Sequence, residues 1–248
     1  GLRSLQTGNL WRAREAITER RTLARIAPLF LRPLPFLVQT THKFSRSQAA
    51  FHAAFIVDSL LGYDRNFNLS PKLHLPAGRI ISRAECKQHF GSLITESQFT
   101  GGALWHDYQI HQAERLNVSF ALGAKKEGAC LANYVEATDP IFSEKKIEGV
   151  HARDVLTGRS LEIRAALTID TTGPNAGKIS SKLGKQHRPI LQKAINVVTT
   201  RPMRDPSLGV PGPDGGFFLL ISWLERAMLG TWHLPEPADP TDTSVSEE

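Results

Sequence analysis

Apolar positions recur at near-helical spacing close to the start of the chain: Leu10, Ala13, Ile17, Leu23 and Ile26, with Arg and Glu between them. Asn9 stands where an N-cap belongs, and Pro28 ends the helix. Pro33 and Pro35 break the backbone beyond it, because proline lacks a donor and restricts its predecessor. Leu34-Pro35-Phe36-Leu37-Val38 reads as a strand entering a second region. Ser47 opens a second helix through Phe51, Phe55, Ile56 and Leu60, with Gly62 as its stop. That helix is apolar on more than one face, so it is either well buried or at an interface. Tyr63 to Pro76 reads as a loop, and Ser82-Arg83-Ala84-Glu85 is a capping box. Gly101-Gly102 precede a strand-like Ala103 to Ile110.

The next stretch is the clearest. Gln112 to Lys126 has helical periodicity with Gly128 after it, and Cys130 to Ala137 reads as a strand. Two further strands, Ile147 to Val155 and Ser160 to Ala165, are joined by Leu156-Thr157-Gly158-Arg159. Ala166-Leu167-Thr168-Ile169-Asp170 reads as a short buried strand, which ends at Thr171-Thr172-Gly173-Pro174 before a helix from about Ala176 to Lys185. Helix, strand, meander and a buried strand with a glycine turn fit the second half of a dinucleotide-binding domain. A glycine there brings backbone N–H groups close to a cofactor, although many α/β proteins end a strand at glycine for packing alone. The last third is β-rich: Ala194 to Thr200, then a hairpin of Phe217 to Trp223 and Ala227 to Trp232, then a Pro/Asp-rich loop from Pro235 to Asp242.

Composition narrows the classes. Of 248 residues, 41% are hydrophobic and 22% charged, enough apolar material for a sizeable core. No apolar run approaches the ~20 residues that cross a bilayer, and arginines interrupt the N-terminus where a secretory signal would be apolar. The net charge of +6 is spread among acids, with no basic run interleaved with aromatics, which argues against nucleic acid. Two cysteines exclude a disulfide framework and fit a reducing compartment. Cys86 and His89 have ligand spacing, but zinc needs four convergent ligands, so no metal is expected. The opening Gly1 and the acidic Ser246-Glu247-Glu248 give the expectation that both ends are cut.

Several segments together resemble the FAD-dependent glycerol-3-phosphate dehydrogenases. They are Gly1-Leu2-Arg3-Ser4-Leu5-Gln6 with its Arg/Glu-rich helix, Arg32-Pro33-Leu34-Pro35-Phe36, Gly101-Gly102-Ala103-Leu104-Trp105, Gln112-Ala113-Glu114-Arg115-Leu116, Gly173-Pro174, and Phe217 to Trp223 followed by Leu229-Gly230-Thr231. The resemblance implies an α/β (α+β) fold in which an incomplete Rossmann-like FAD-binding domain is interleaved with an antiparallel-sheet substrate domain. It assigns residues 1–32 and 111–178 to the FAD domain, and 33–110 and 179–248 to the substrate domain. It further implies oxidation of glycerol 3-phosphate to dihydroxyacetone phosphate with FAD as cofactor and a quinone or oxygen as electron acceptor. The location is cytoplasmic or peripheral on the cytoplasmic side of a membrane, contact the basic charge permits.

Carried over by motif, Arg3 sits near flavin and substrate, with Leu2 beside it at the cofactor. Val135 presents its backbone to the adenine end of FAD. Thr172 and Gly173 form the turn near the diphosphate, and Gly230 and Thr231 the Gly-Thr near the active site; an ordinary tight turn is the other reading of both pairs. Lys193 and Arg226 read either as partners of an anionic substrate or as surface charge. Departures bear on the phosphate. Ser4 stands where the family has Tyr, and Gly216 where it has Arg, which removes a charged hydrogen bond worth ~1.5–3 kcal/mol. Asn175, Ser222 and Trp232 also differ from the family pattern. A related flavoenzyme acting on an amine or a non-phosphorylated hydroxy acid, or a non-catalytic remnant, are the alternatives. The G-x-G-x-x-G turn and ribose-binding acid of a flavin domain are not among these residues, so residues 1–248 alone are expected to bind FAD weakly or not at all.

Overall fold

Helix α1 (Leu10–Ile26) begins where the Asn9 side chain accepts a hydrogen bond from the Arg12 backbone at 2.9 Å, and ends before Pro28 as its missing donor requires. The computed structural model describes residues 8–93, 99–143, 146–182, 190–211, 217–239, 241, 242 and 244. The chain divides into two units, residues 1–120 with 195–232, and residues 121–194 with 233–248.

In the first unit β1 (Leu31–Thr40) pairs along its whole length with β3 (Gly101–Ile110), antiparallel. The seven-stranded order is β2-β3-β1-β8-β9-β10-β7, with β2 (Arg79–Ile81), β7 (Gln192–Pro202), β8 (Ser207–Pro211), β9 (Phe217–Trp223) and β10 (Arg226–Pro237). The pairs β1–β3, β2–β3, β8–β9 and β9–β10 are antiparallel, as expected, while β8 joins β1 in parallel through Phe36↔Ser207 to Val38↔Gly209. Strand β8 was not foreseen, since the glycines around it read as loop. Pro33 and Pro35 do not break the chain; both lie inside β1. They share one parity, and β8 begins only at Phe36, so their missing donors cost no ladder bond on that side. Gly101 and Gly102 also lie within β3 rather than before it. A Cβ at Gly102 would meet the Leu37 and Ile81 side chains at 2.7 and 2.9 Å, so the core itself selects glycine.

Helix α2 (Gln48–Leu61) starts at the Ser47 cap, and α3 (Arg83–Phe90) at Ser82, whose hydroxyl accepts from the Glu85 backbone at 3.1 Å. Three apolar clusters fix them to the sheet. Leu37, Ile81, Cys86, Phe90, Phe99 and Leu208 form the largest, under α3. Val38, Phe55 and Ala103 hold α2, and Ala24, Leu31 and Leu73 hold α1. Sequence left α2 either buried or at an interface; one face is buried, with Phe55 in the core, while Ile56 and Leu60 are exposed.

The second unit is a three-stranded meander, β4 (Val135–Ser143), β5 (Lys146–Asp154) and β6 (Ser160–Arg164), antiparallel throughout. Strand β4 begins five residues later than Cys130 and runs on through Pro140, with a register shift between Ala137 and Asp139 that takes up the irregularity. Helix α4 (Ala113–Lys126) ends before Gly128, whose φ of 98° suits glycine alone. Helix α5 spans Ala176–Lys182, and the predicted residues up to Lys185 lie outside the described ones. The run Ala166 to Asp170 corrects the sequence reading: it joins no ladder and its Leu167 and Ile169 are exposed, because no strand lies beside it among the described residues.

Candidate functional site

In the first unit the β9–β10 hairpin carries three of the candidate residues. Leu224 and Glu225 have φ of 47° and 63°, the left-handed pair that a two-residue hairpin turn needs to match strand twist. Arg226 follows the turn and is exposed, opposite Trp223. Gly230 and Thr231 lie further along the strand, so Arg226 and Thr231 stand roughly 17 Å apart at the usual strand rise.

At that further end Gly230 has φ of 154°, and a Cβ there would lie 2.3 Å from Asn196 Oδ1 and 3.0 Å from the Ile195 carbonyl oxygen. The glycine is therefore demanded by both backbone and neighbour. The Thr231 hydroxyl donates to the same Asn196 Oδ1 at 2.9 Å. Asn196, on β7, is the residue that sequence reasoning missed. Its partner is 35 residues away, and the only local signal was an amide side chain inside the run Ala194-Ile195-Asn196-Val197-Val198.

In the second unit Val135 opens β4, paired with Asp154, while the Tyr134 carbonyl accepts from Val155 at 2.9 Å. β4 is an edge strand, so its outer backbone groups have no strand partner among the described residues. Thr172 donates from its backbone and hydroxyl to Asp170 Oδ1 at 2.9 and 2.7 Å, which holds the Asp170 carboxyl below its ordinary range. Gly173 has φ of 58°, with open space where a Cβ would be. Lys193 is already matched: its ammonium donates to Asp242 Oδ2 at 2.6 Å and to the Ser244 carbonyl at 2.8 Å. Arg3 and Leu2, like Ser4 and Gly216, lie outside the described residues.

Charge in the first unit is concentrated where α1 meets the loop after α2. Arg14 and Arg21 both reach Asp64, Arg65 pairs with Asp58 at 2.6 Å, and Arg20 pairs with Asp107 at 2.9 Å. Arg20, Asp58, Arg65, Asp107 and His106 line a small enclosed cavity. Burial, then the charge of Arg79, holds the His106 imidazole below its usual pKa. Among the described residues no three His, Cys, Asp or Glu side chains converge as metal ligands. Cys86 packs into the core while His89, on the same helix, is exposed.

Burial pushes the Cys86 thiol up to about 11, and Cys130 is exposed. Only the thiolate is nucleophilic, so a native sample treated with a thiol reagent at pH 8 should be alkylated at Cys130 alone, and at both cysteines in denaturant. Rapid native labelling of Cys86, read by peptide mass, would show that the core around α3 is open.

The residues present fit part of a flavin dinucleotide: a sheet edge at Val135 with no strand partner among the described residues, and an unobstructed turn at Gly173. The mitochondrial glycerol-3-phosphate dehydrogenase of Macaca fascicularis is 27% identical over 246 residues, covering 95% of this chain and 32% of that protein. The glycerol-3-phosphate dehydrogenase of a Synechocystis species is also 27% identical, covering 93% of this chain and 43% of its own length. The chain thus spans 32–43% of the length of these relatives. Among solved structures, glycerol-3-phosphate dehydrogenase from Bacillus halodurans, complexed with FAD, superposes with a TM-score of 0.62 at 17% identity, over 91% of this chain and 38% of that one. L-proline dehydrogenase from P. horikoshii gives 0.63 at 15% identity, over 96% and 57%. At such identities the two structures establish the mixed α/β fold only. The family described as DAO, FAD dependent oxidoreductase, matches residues 2–248, and the chain belongs to that family.

Proposed function

We propose that the polypeptide carrying this chain is a flavoenzyme that oxidises glycerol 3-phosphate to dihydroxyacetone phosphate, passing the electrons on to a quinone or to oxygen. The observation that carries the reading is family membership across residues 2–248 together with relatives of that name aligned over 93–95% of the chain. FAD, when bound, supplies the hydride acceptor. Leu2, Val135, Thr172, Gly173 and Gly230 are the residues that would hold it. Arg3, Lys193 and Thr231 would receive the substrate, the two cations for its phosphate and Thr231 for a hydroxyl, whereas Arg226, at the turn end of the strand and exposed, takes its other reading as surface charge. Lys193 would take that part by exchanging Asp242 for the phosphate. Asn196 orients the Thr231 hydroxyl, fixing where its remaining lone pairs point. The division into residues 1–32 and 111–178 for flavin, and 33–110 and 179–248 for substrate, belongs to the same proposal. So does peripheral contact with a membrane; among the described residues no helix is long and apolar enough to cross one.

The test is anaerobic addition of glycerol 3-phosphate to the full-length protein with no electron acceptor present, in which bleaching of the flavin band is the expected result, and a dye-linked assay then follows turnover. A flavin that stays oxidised with glycerol 3-phosphate and bleaches with an amine or an unphosphorylated hydroxy acid would replace this reading. Ser4 and Gly216, where the family pattern has Tyr and Arg, are the observation favouring that second reading. A Thr231→Ala variant should lower kcat/KM about tenfold, the loss of one hydrogen bond worth ~1.4 kcal/mol, with flavin content unchanged.

A further inference from the structure

Asn196 and Thr231 are both exposed, yet neither is free to turn. The Thr231 hydroxyl, on β10, donates to Asn196 Oδ1, on β7, at 2.9 Å. Room for that bond exists only because residue 230 is glycine: a Cβ there would lie 2.3 Å from the same oxygen and 3.1 Å from Asn196 Cγ. Glycine inside a strand weakens it, since it loses more backbone freedom on folding and has no side chain to pack. One hydrogen bond between two residues in water does not offset that loss. A pair of polar groups fixed in place for a ligand does.

The pair has a defined polarity. With its hydrogen given to Asn196, Thr231 Oγ1 can only accept from a third group. Asn196 Nδ2 can only donate, and its N–H groups have no partner among the described residues. Turning the amide over exchanges the two roles and still leaves one donor beside one acceptor. We propose that Asn196 is a further substrate-binding residue, and that it grips one substrate hydroxyl together with Thr231. Nδ2 donates to the hydroxyl oxygen, and the hydroxyl donates to Thr231 Oγ1. An alcohol meets both atoms because it accepts and donates at once. A phosphate dianion or a carboxylate only accepts, and an ammonium, the form of an amine at pH 7, only donates. Each would leave one member of the pair facing a like group, and a site built to hydrogen-bond a hydroxyl rejects groups that leave it unpaired. The pair therefore takes the alcohol end of a small molecule, not its anionic end, and selects against an amine. The inference rests on the placing of Thr231 at the substrate proposed above.

Steady-state kinetics of the full-length protein test it. Asn196→Ala and Asn196→Asp should each lower kcat/KM for glycerol 3-phosphate by about tenfold or more, with flavin content unchanged. The inhibitor n-propyl phosphate has the phosphate and no hydroxyl, so it should bind Asn196→Ala as tightly as the parent. Its inhibition constant in Asn196→Asp records the added charge alone. Asn196→Asp keeps an oxygen to accept from Thr231 and loses only the donor. If Asn196→Asp matched the parent while Asn196→Ala did not, Asn196 would merely orient Thr231, and the proposal would fall. Equal losses for glycerol 3-phosphate and n-propyl phosphate in Asn196→Ala would overturn it too, as a general loosening of the site. Should glycerol 3-phosphate leave the flavin oxidised, the substrate assignment falls separately. An unphosphorylated hydroxy acid that bleaches the flavin and shows the same tenfold loss would then uphold the pair, and an amine substrate would overturn it.

Discussion

Replacing Gly149 with alanine is expected to cost about 3–5 kcal/mol and to open the β4–β5–β6 meander. Gly149 is in the central strand, opposite Ile141 on one side and Arg164 on the other. Its φ is 148°, and a Cβ there would lie 2.0 Å from the Ile163 carbonyl oxygen and 2.8 Å from Arg164 Cα. Both neighbours are backbone, so no rotamer change relieves the clash, and β6 would have to leave its register. The alanine also has to adopt a backbone conformation that its own Cβ disfavours. At roughly 2–4 °C per kcal/mol for a chain of this size, the melting temperature should drop by about 10 °C or more. Gly158→Ala is the matching control. It too sits at positive φ, 74°, in the turn between β5 and β6, but nothing lies within 4 Å of its Cβ position. It should cost only about 1 kcal/mol, the backbone penalty without the collision. Circular dichroism melts of the two variants side by side decide the matter: equal, small losses would mean that β6 does not press on β5.

The contrast between these glycines shows what a sequence can and cannot carry. Asn9, Ser47 and Ser82 were legible as helix caps because a cap depends on residues three or four positions away. The β9–β10 hairpin was legible for the same local reason. Strand β8 was not, because it exists by pairing with Phe36 to Val38, about 170 residues earlier in the chain, and with β9. Gly102 read as the lead-in to a strand and Gly149 as an ordinary position inside one, yet each is required by an atom from another strand. The candidate site divides likewise. Gly230 and Thr231 were found by motif, but the reason for that glycine, Asn196 pressed against it from β7, is a tertiary fact. Leu167 and Ile169 carry a strand pattern, yet no strand lies beside them among the described residues, so local pattern and local structure disagree there.

Removing Asp64 should be nearly as damaging, and its cost should depend on acidity. Asp64 follows α2 and accepts from Arg14 at 2.5 Å on Oδ1 and 2.8 Å on Oδ2, while Arg21 also donates to Oδ2. Arg14 and Arg21 lie two turns apart on α1, so one carboxylate fastens that helix to the α2 loop at two points. The nearby Asp58 is taken by Arg65, through its carboxylate at 2.6 Å and its carbonyl at 2.7 Å, so that acid is not free to replace Asp64. Asp64→Ala would leave two guanidiniums close together and partly buried, at a cost of about 2–3 kcal/mol at pH 7. The hydrogen bond from Arg14, then those from Arg21 with the charges of both arginines, holds the Asp64 carboxyl well below the usual carboxylate range. A carboxyl with a depressed folded value favours the folded state above its unfolded value, near pH 4, and that contribution is lost as pH falls through the folded value. The parent should therefore lose stability faster than the variant on acidification below pH 4, and the gap between their melting temperatures should narrow from pH 7 to pH 2. A gap that stayed constant over that range would mean that Asp64 contributes by packing and not by its charge.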